Sequence, residues 1–355
     1  MLSTLPNLAN KAFIIGFFLP TLLFVLALAG LFHDQSWAQA WFAAATQKEG
    51  WDSLAYFVVA VWGASVLLMM TNDLQLKLLE GYLWPVSKIA FLQRREEARF
   101  QEKKARADQL MAQAETEGDN FPDTAASELA ELLQELVREF PPDAANRLPT
   151  RLGNAIRAFE VYSNKVYGAD SIPLWLHLST GIAADFQSAL DDARAQVNCA
   201  VNVCYFAALI VVLVILRLIW GFEWHTLLAA HDPRAAMIAY FNFTNGISLV
   251  AGLVAVAICW LVYRFAVELV YPWGDLVKAA FDCYLPDLAK KMGYELPETA
   301  ARRQEFWAAV SRQAIYWDQL KPEHWAAPKK EQPHNGLSGV LEVMARLVAP
   351  TAVDK

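Results

Sequence analysis

Four long apolar stretches, at residues 12–32, 54–70, 199–220 and 243–262, divide two and two around a charged middle. A helix needs about 20 apolar residues to cross a ~30 Å hydrocarbon core. Each run is near that length, and none alternates with the period of two that a membrane barrel strand shows. Backbone polar groups must be paired inside the bilayer, which leaves helices. The fold class that follows is an all-α integral membrane protein, with four transmembrane helices in two hairpins and a helical cytoplasmic block.

The basic residues orient the spans. Lys77, Lys88, Arg94, Arg95, Arg99, Lys103, Lys104 and Arg106 follow the second run, and Arg264, Lys278, Lys290, Lys291, Arg302 and Arg303 follow the fourth. The loops 33–51 and 221–235 hold one basic residue each, Lys48 and Arg234, but five tryptophans lie in or beside them: Trp37, Trp41, Trp51, Trp220 and Trp224. The positive-inside rule and the interfacial preference of Trp place the middle region and both termini in the cytoplasm. The first run follows a lone Lys11 and lacks a clean small-x-small site, so it reads as a retained span rather than a signal peptide.

The organisation expected is a first transmembrane hairpin (1–84), a cytoplasmic helical region (85–195), a second hairpin (196–272), cytoplasmic helices (273–320), and a linker with a short amphipathic tail helix (321–355). In the middle, 94–115 is rich in helix formers, with Glu102 and Arg106 at i,i+4 spacing. A helix over 125–140, capped by Asp123 or Thr124, carries Leu129, Leu132, Leu133, Leu136, Val137 and Phe140 on one stripe. That stripe needs cover from its own bundle or a neighbouring subunit. The turn Leu148-Pro149-Thr150-Arg151-Leu152-Gly153-Asn154 precedes a helix over 155–166; its amides could cradle an anion or simply turn the chain. A helix from about Leu176 leads into the third span. Past the fourth, Tyr271-Pro272-Trp273-Gly274 marks an exit, with a break expected at Pro286. Thr299 caps a helix bearing Phe306, Trp307, Val310 and Trp317.

The exits of the second and fourth spans are alike. Glu80, Tyr82, Pro85, Lys88 and Phe91 run parallel to Glu268, Tyr271, Pro272, Lys278 and Phe281. Either a parallel duplication or independent use of interfacial residues accounts for this.

Polar groups in spans are functional candidates by default. The pore or intramembrane candidates are Asn72, Asp73, Glu80, Asn198, Asn202, Asn242, Asn245 and Glu268, as lining of a wet path or as interhelical hydrogen-bond partners. Arg217 and Arg264 sit near span ends, where snorkelling to the interface is cheap. Gly246 and Gly252 would permit close helix approach. Cys199, Cys204, Cys259 and Cys283 form no C-x-x-C or zinc spacing and read as reduced, buried small residues. The histidines are scattered, and no H-E-x-x-H, G-x-S-x-G or GK[ST] loop occurs. Only His225 and His231, on one outer loop, offer a weak metal pair. No catalytic group, cofactor or metal is expected. The net charge of −7 argues against nucleic-acid binding.

Leu78-Leu79-Glu80-Gly81-Tyr82, Leu148 to Asn154 with Tyr167-Gly168, and Ala280-Phe281-Asp282 with Leu285 resemble an uncharacterised family of bacterial four-span inner-membrane proteins. The resemblance covers all but the acidic segment and the tail, and implies architecture and a bacterial inner membrane, without an activity. The order of spans and helices is also similar to the plan of bestrophin-type anion channels, though no bestrophin motif is present. The function expected is an oligomeric multi-pass membrane protein forming an ion channel or pore. The alternative is a membrane-anchored scaffold or sensor whose cytoplasmic helices recruit a soluble partner, for example in a stress or phage-defence system.

Overall fold

The computed structural model describes residues 10–33, 35, 39, 51–220 and 243–320. The outer-loop histidines 225 and 231, Asn242 and the tail helix expected near 337–348 lie outside these residues. The described chain is helical, and four helices are long and apolar enough to cross a membrane. It divides into two compact units, residues 1–162 with 182–280, and residues 163–181 with 281–355.

The first unit holds the spans. α1 (Lys11–Leu31) begins at Asn10, whose side chain accepts from the Phe13 amide at 2.8 Å. Its second turn, Ile14–Phe18, is a π-helix. α2 (Trp51–Glu80) is one helix that runs past its apolar stretch and ends at Glu80, short of Leu83 and Pro85. α3 (Ala90–Glu117) and α4 (Asp123–Glu139) form an antiparallel pair, and α5 (Arg151–Glu160) follows. α6 (Tyr162–Tyr167) starts at the unit boundary. α8 (Ala184–Trp220) is the third span, and α9 (Phe243–Lys291) is the fourth and continues past it. At 1.5 Å per residue these last two are roughly 55 and 75 Å long, well beyond a ~30 Å core.

Several boundaries differ from those expected, for local reasons. Pro272 and Pro286 do not break α9. Both prolines, and the residues four before them, Glu268 and Asp282, are exposed, so the carbonyls freed of an amide partner face outward. The opposite face is buried through Val267, Val270, Val277 and Ala280. This separates the two look-alike exits: α2 stops at Gly81, which has φ +95°, while α9 runs on. α4 begins at Asp123, with Pro122 in the capping position and no side-chain cap bond. The expected helix over 155–166 starts at Arg151 and divides at Val161. Glu102 makes no ion pair with Arg106; Arg106 forks instead onto Glu128 of α4, at 2.7 and 2.9 Å.

Charge pairs join α3 to α4. Glu139, nearly buried, accepts from Arg99 at 2.8 Å and Lys103 at 2.9 Å, and pairs with Arg151 of α5 at 3.4 Å. Phe100 meets Phe140 edge-on, with centroids 5.4 Å apart. The apolar stripe of α4 is only half covered. No residue of α4 is fully buried, and Val137 is 73% exposed.

In the second unit, α7 (Ser171–Ser179), α10 (Ala300–Tyr316) and the end of α9 pack around Phe281, Leu285, Leu174, Leu178, Phe306 and Trp307. Thr299 caps α10 as expected. Trp317 lies off its stripe, because it is the left-handed C-cap and is exposed. Gly168 has φ +74°, and a Cβ there would strike the Gln304 backbone, so α10 closes against this turn.

Candidate functional site

The π turn of α1 brings backbone, rather than side chain, against α8. Gly16 has no Cβ; one built there would meet the Ala195 carbonyl at 3.5 Å. The Gly16 carbonyl accepts from the Asn202 side chain at 2.8 Å. A π-helix re-aims carbonyls within a helix and is frequent at functional sites. One turn along α8, Asn198 accepts from the Asn72 amide of α2 at 3.1 Å. Three helices are thus tied by two side-chain amide bonds, packed beside a cluster of Phe13, Phe17 and Leu68.

A cavity of about 390 Å³ opens beside these bonds, lined by Asn10, Phe13, Asn72, Asp73, Arg194 and Asn198, among others. Lys11 pairs with Asp192 at 2.6 Å, and Arg194 lies 3.8 Å from Asp73. The cavity thus mixes amide and charged side chains (Asn10, Asn72, Asn198, Asp73, Arg194) with apolar ones (Phe13, Phe17, Met69). Asn202 is fully buried, yet its Oδ1 finds no hydrogen-bond donor among the described residues. The same holds for Asn72 Oδ1 and Gln75 Oε1. Buried polar atoms are paired in the great majority of cases, so three such acceptors without donors on two packed helices are unusual.

Of the sequence-derived candidates, Asn72, Asp73 and Asn198 line this cavity, Asn202 sits one turn along α8 on the Gly16 carbonyl, and the others go elsewhere. Glu80 is buried at the end of α2, under the turn before α5. There Thr150 Oγ1 donates to the Glu80 carbonyl at 2.9 Å and accepts from the Gly153 amide at 3.0 Å. Asn154 holds Leu148 through both its amide and its carbonyl, at 2.7 and 2.9 Å. This turn spends its polar groups on packing, so of the two readings of Leu148–Asn154 the structural turn fits the geometry. Glu268 and Arg264 are exposed on α9, with Arg264 over the Trp260 ring at 5.2 Å. Asn245 is half-buried near the start of α9. Arg217 donates to the Leu31 carbonyl and lines a second cavity of about 370 Å³ with His33 and Ser248. Gly252 serves close approach, its Cβ position 3.0 Å from Val214, whereas nothing lies within 4 Å at Gly246.

Sequence reasoning missed the π turn, Asn10 and Arg194. No periodicity signals a π turn, and Asn10 and Arg194 read as ordinary span flanks. It also missed a basic–acidic pocket of about 760 Å³ beside α3, lined in part by Glu96, Glu97, Arg147 and Asn154. Arg147 donates to Glu97 at 2.8 Å and stacks over Phe100 at 3.5 Å. Bonds from Arg147 and Gln101 hold the Glu97 carboxyl below its ordinary range. Burial pushes Glu96 the other way, above its ordinary value, against the pull of Arg99 and Arg151.

Among the described residues, no three His, Cys, Asp or Glu side chains gather as metal ligands. The outward faces of the spans are apolar. Leu67 and Met70 of α2, Val212 and Ile215 of α8, and Leu253, Val256 and Leu261 of α9 are exposed. The polar intramembrane groups that converge do so inside one chain. Comparison with protein-family models, with curated proteins and with solved structures gave no match to this chain.

Proposed function

We propose that this integral membrane protein admits a small hard cation into the vestibule between α1, α2 and α8, as the entrance to an ion-conducting path. The observation that carries this reading is Asn72 Oδ1, a buried amide oxygen without a donor, in a cavity it shares with Asn198 and the Asp73 carboxylate; Gln75 Oε1 and Asn202 Oδ1, also without donors, belong to residues one turn along α2 and α8 from Asn72 and Asn198. Hard cations take carbonyl and carboxylate oxygens as ligands. Irregular helix next to such oxygens is how transport proteins present ion sites at membrane depth. The path belongs to each subunit. Assembly into a homo-oligomer would bury the apolar outer faces of the spans rather than line a shared pore. By the positive-inside rule, the vestibule faces the cytoplasm of a bacterial inner membrane.

The test is cation flux into proteoliposomes, at both polarities of membrane potential, with the full chain and with Asn72→Leu and Asn202→Leu. Wild-type flux that both variants abolish supports the reading. No flux from folded wild type, with no cation-specific rise in thermal stability, sinks it.

A second reading, a scaffold that recruits a soluble partner, is favoured by the half-covered leucine stripe of α4, with Leu133 and Val137 exposed. Exposed apolar patches on helices commonly mark interaction sites. Recovery of one defined partner by wild type, but not by Val137→Asp, would favour it over conduction.

A further inference from the structure

α8 and α9 cross closely where Gly252 faces Val214, and two turns from Gly252 along α9 they bring Cys204 and Cys259 together. The two sulfurs are 3.3 Å apart, and each also lies 3.6 Å from the other residue's carbonyl oxygen. Both cysteines are reduced. Cys204 sits about one and a half turns inside the start of its apolar run, and Cys259 just under one turn inside the end of its own. Cys204 is buried, while Cys259 is half-buried between Ile258 and Trp260, both exposed on the outward face. The pair is therefore approached from the hydrocarbon, through Cys259.

We infer that Cys204 and Cys259 form a membrane-embedded dithiol that lipid peroxyl radicals oxidise to an interhelical disulfide. A thiolate is poorly solvated in hydrocarbon, which disfavours the nucleophilic chemistry that soluble cysteines use. Hydrogen-atom transfer creates no charge and suits this setting. A first peroxyl radical takes the hydrogen of the Cys259 thiol, breaking S–H and forming the O–H of a lipid hydroperoxide. The resulting thiyl recovers a hydrogen atom from its neighbour Cys204, which passes the radical inward. A second peroxyl radical removes that hydrogen from Cys259, and the two thiyls combine. Two peroxyl radicals are each reduced by one electron to hydroperoxide, and the dithiol loses two hydrogens. The sulfurs need roughly 1 Å of closure to reach a ~2.05 Å bond, within the reach of side-chain rotation. The product ties α8 to α9 and is restored by a dithiol reductant.

Cys283, exposed and outside the apolar run, and Cys199, at the start of its own, serve as internal comparisons. The full chain is reconstituted in polyunsaturated phosphatidylcholine vesicles and treated with a lipid-soluble azo initiator. Parallel samples in saturated phosphatidylcholine receive hydrogen peroxide. Free thiols are alkylated, and peptides are read by mass spectrometry. The expected result is a Cys204–Cys259 linked peptide, two hydrogens lighter, several-fold more abundant under lipid peroxidation than under hydrogen peroxide. Dithiothreitol should reverse it, and Cys204→Ser and Cys259→Ser should each abolish it. Because those variants can fail to fold, Cys199→Ser/Cys283→Ser, which keeps the pair intact, should link as the wild type does. Full alkylation of Cys204 and Cys259 after lipid peroxidation overturns the inference. So does equal linking by hydrogen peroxide, or linking only between separate chains.

Discussion

The Asn202 side chain donates to the Gly16 carbonyl at 2.8 Å, across 186 residues of sequence, and pins α8 to the π turn of α1. Interhelical side-chain bonds in membranes average ~0.6 kcal/mol. Here the loss also strands a carbonyl. Asn202→Ala is expected to lower the unfolding free energy by about 1–2 kcal/mol, as measured by denaturant titration in mixed micelles. An unchanged midpoint would mean that the bond holds nothing together.

Gly153 leaves no room for a side chain, since a Cβ would run into the Glu80 backbone carbonyl. The obstacle is backbone, so it cannot swing aside. Gly153→Ala should destabilise by at least about 1–3 kcal/mol, whereas Gly246→Ala, in open space, should not. Melting temperatures of the two variants, side by side, check this contrast.

Glu139 gathers Arg99, Lys103 and Arg151 while nearly buried, whereas the Arg106–Glu128 pair stands in solvent. Neutralising a shared, desolvated acceptor is felt more than cutting an exposed pair. Glu139→Gln is expected to cost about 2 kcal/mol and to loosen α3 from α4, while Arg106→Gln leaves stability little changed. Hydrogen exchange along 90–139 would show whether the loss is confined to this pair of helices.

Glu96 and Glu97 should give opposite pH signatures. The folded chain keeps the Glu96 proton at a pH where the unfolded chain has released it, so this stability contribution falls as pH rises from about 4.5 through the raised folded value. Glu97 is held low, chiefly by Arg147, so its contribution is present above about 4.5 and is lost as pH falls through the lowered value. Glu96→Gln should flatten the decline above 4.5, and Glu97→Gln the acid-side loss. Stability curves at a series of pH values decide, and identical profiles for the two variants would refute the assignment.

The spans were legible because hydrocarbon imposes one crude requirement, about 20 apolar residues per crossing, and 12–32 or 199–220 meet it whatever their partners. The α4 stripe and the Thr299 cap were legible for similarly local reasons. The continuity of α9 through Pro272 was not, because it depends on which face of the helix is buried. The candidate site was legible only in part. Asn72, Asn198 and Asn202 stood out as polar residues in or beside apolar runs, but so did Glu268 and Arg264, which stand apart from them.

The sequence by itself therefore determined the solvent: which segments enter lipid, which stay in water, and which residues are anomalous for their surroundings. Tertiary structure decided the company each residue keeps. It set Asn202 against Gly16, Cys204 against Cys259 and Arg106 against Glu128 rather than Glu102. The physical reason is range. Burial preference and helix propensity act within a turn or two of a residue, whereas a hydrogen bond or sulfur contact spanning 55 or 186 residues exists only once helices have packed and fixed their rotation.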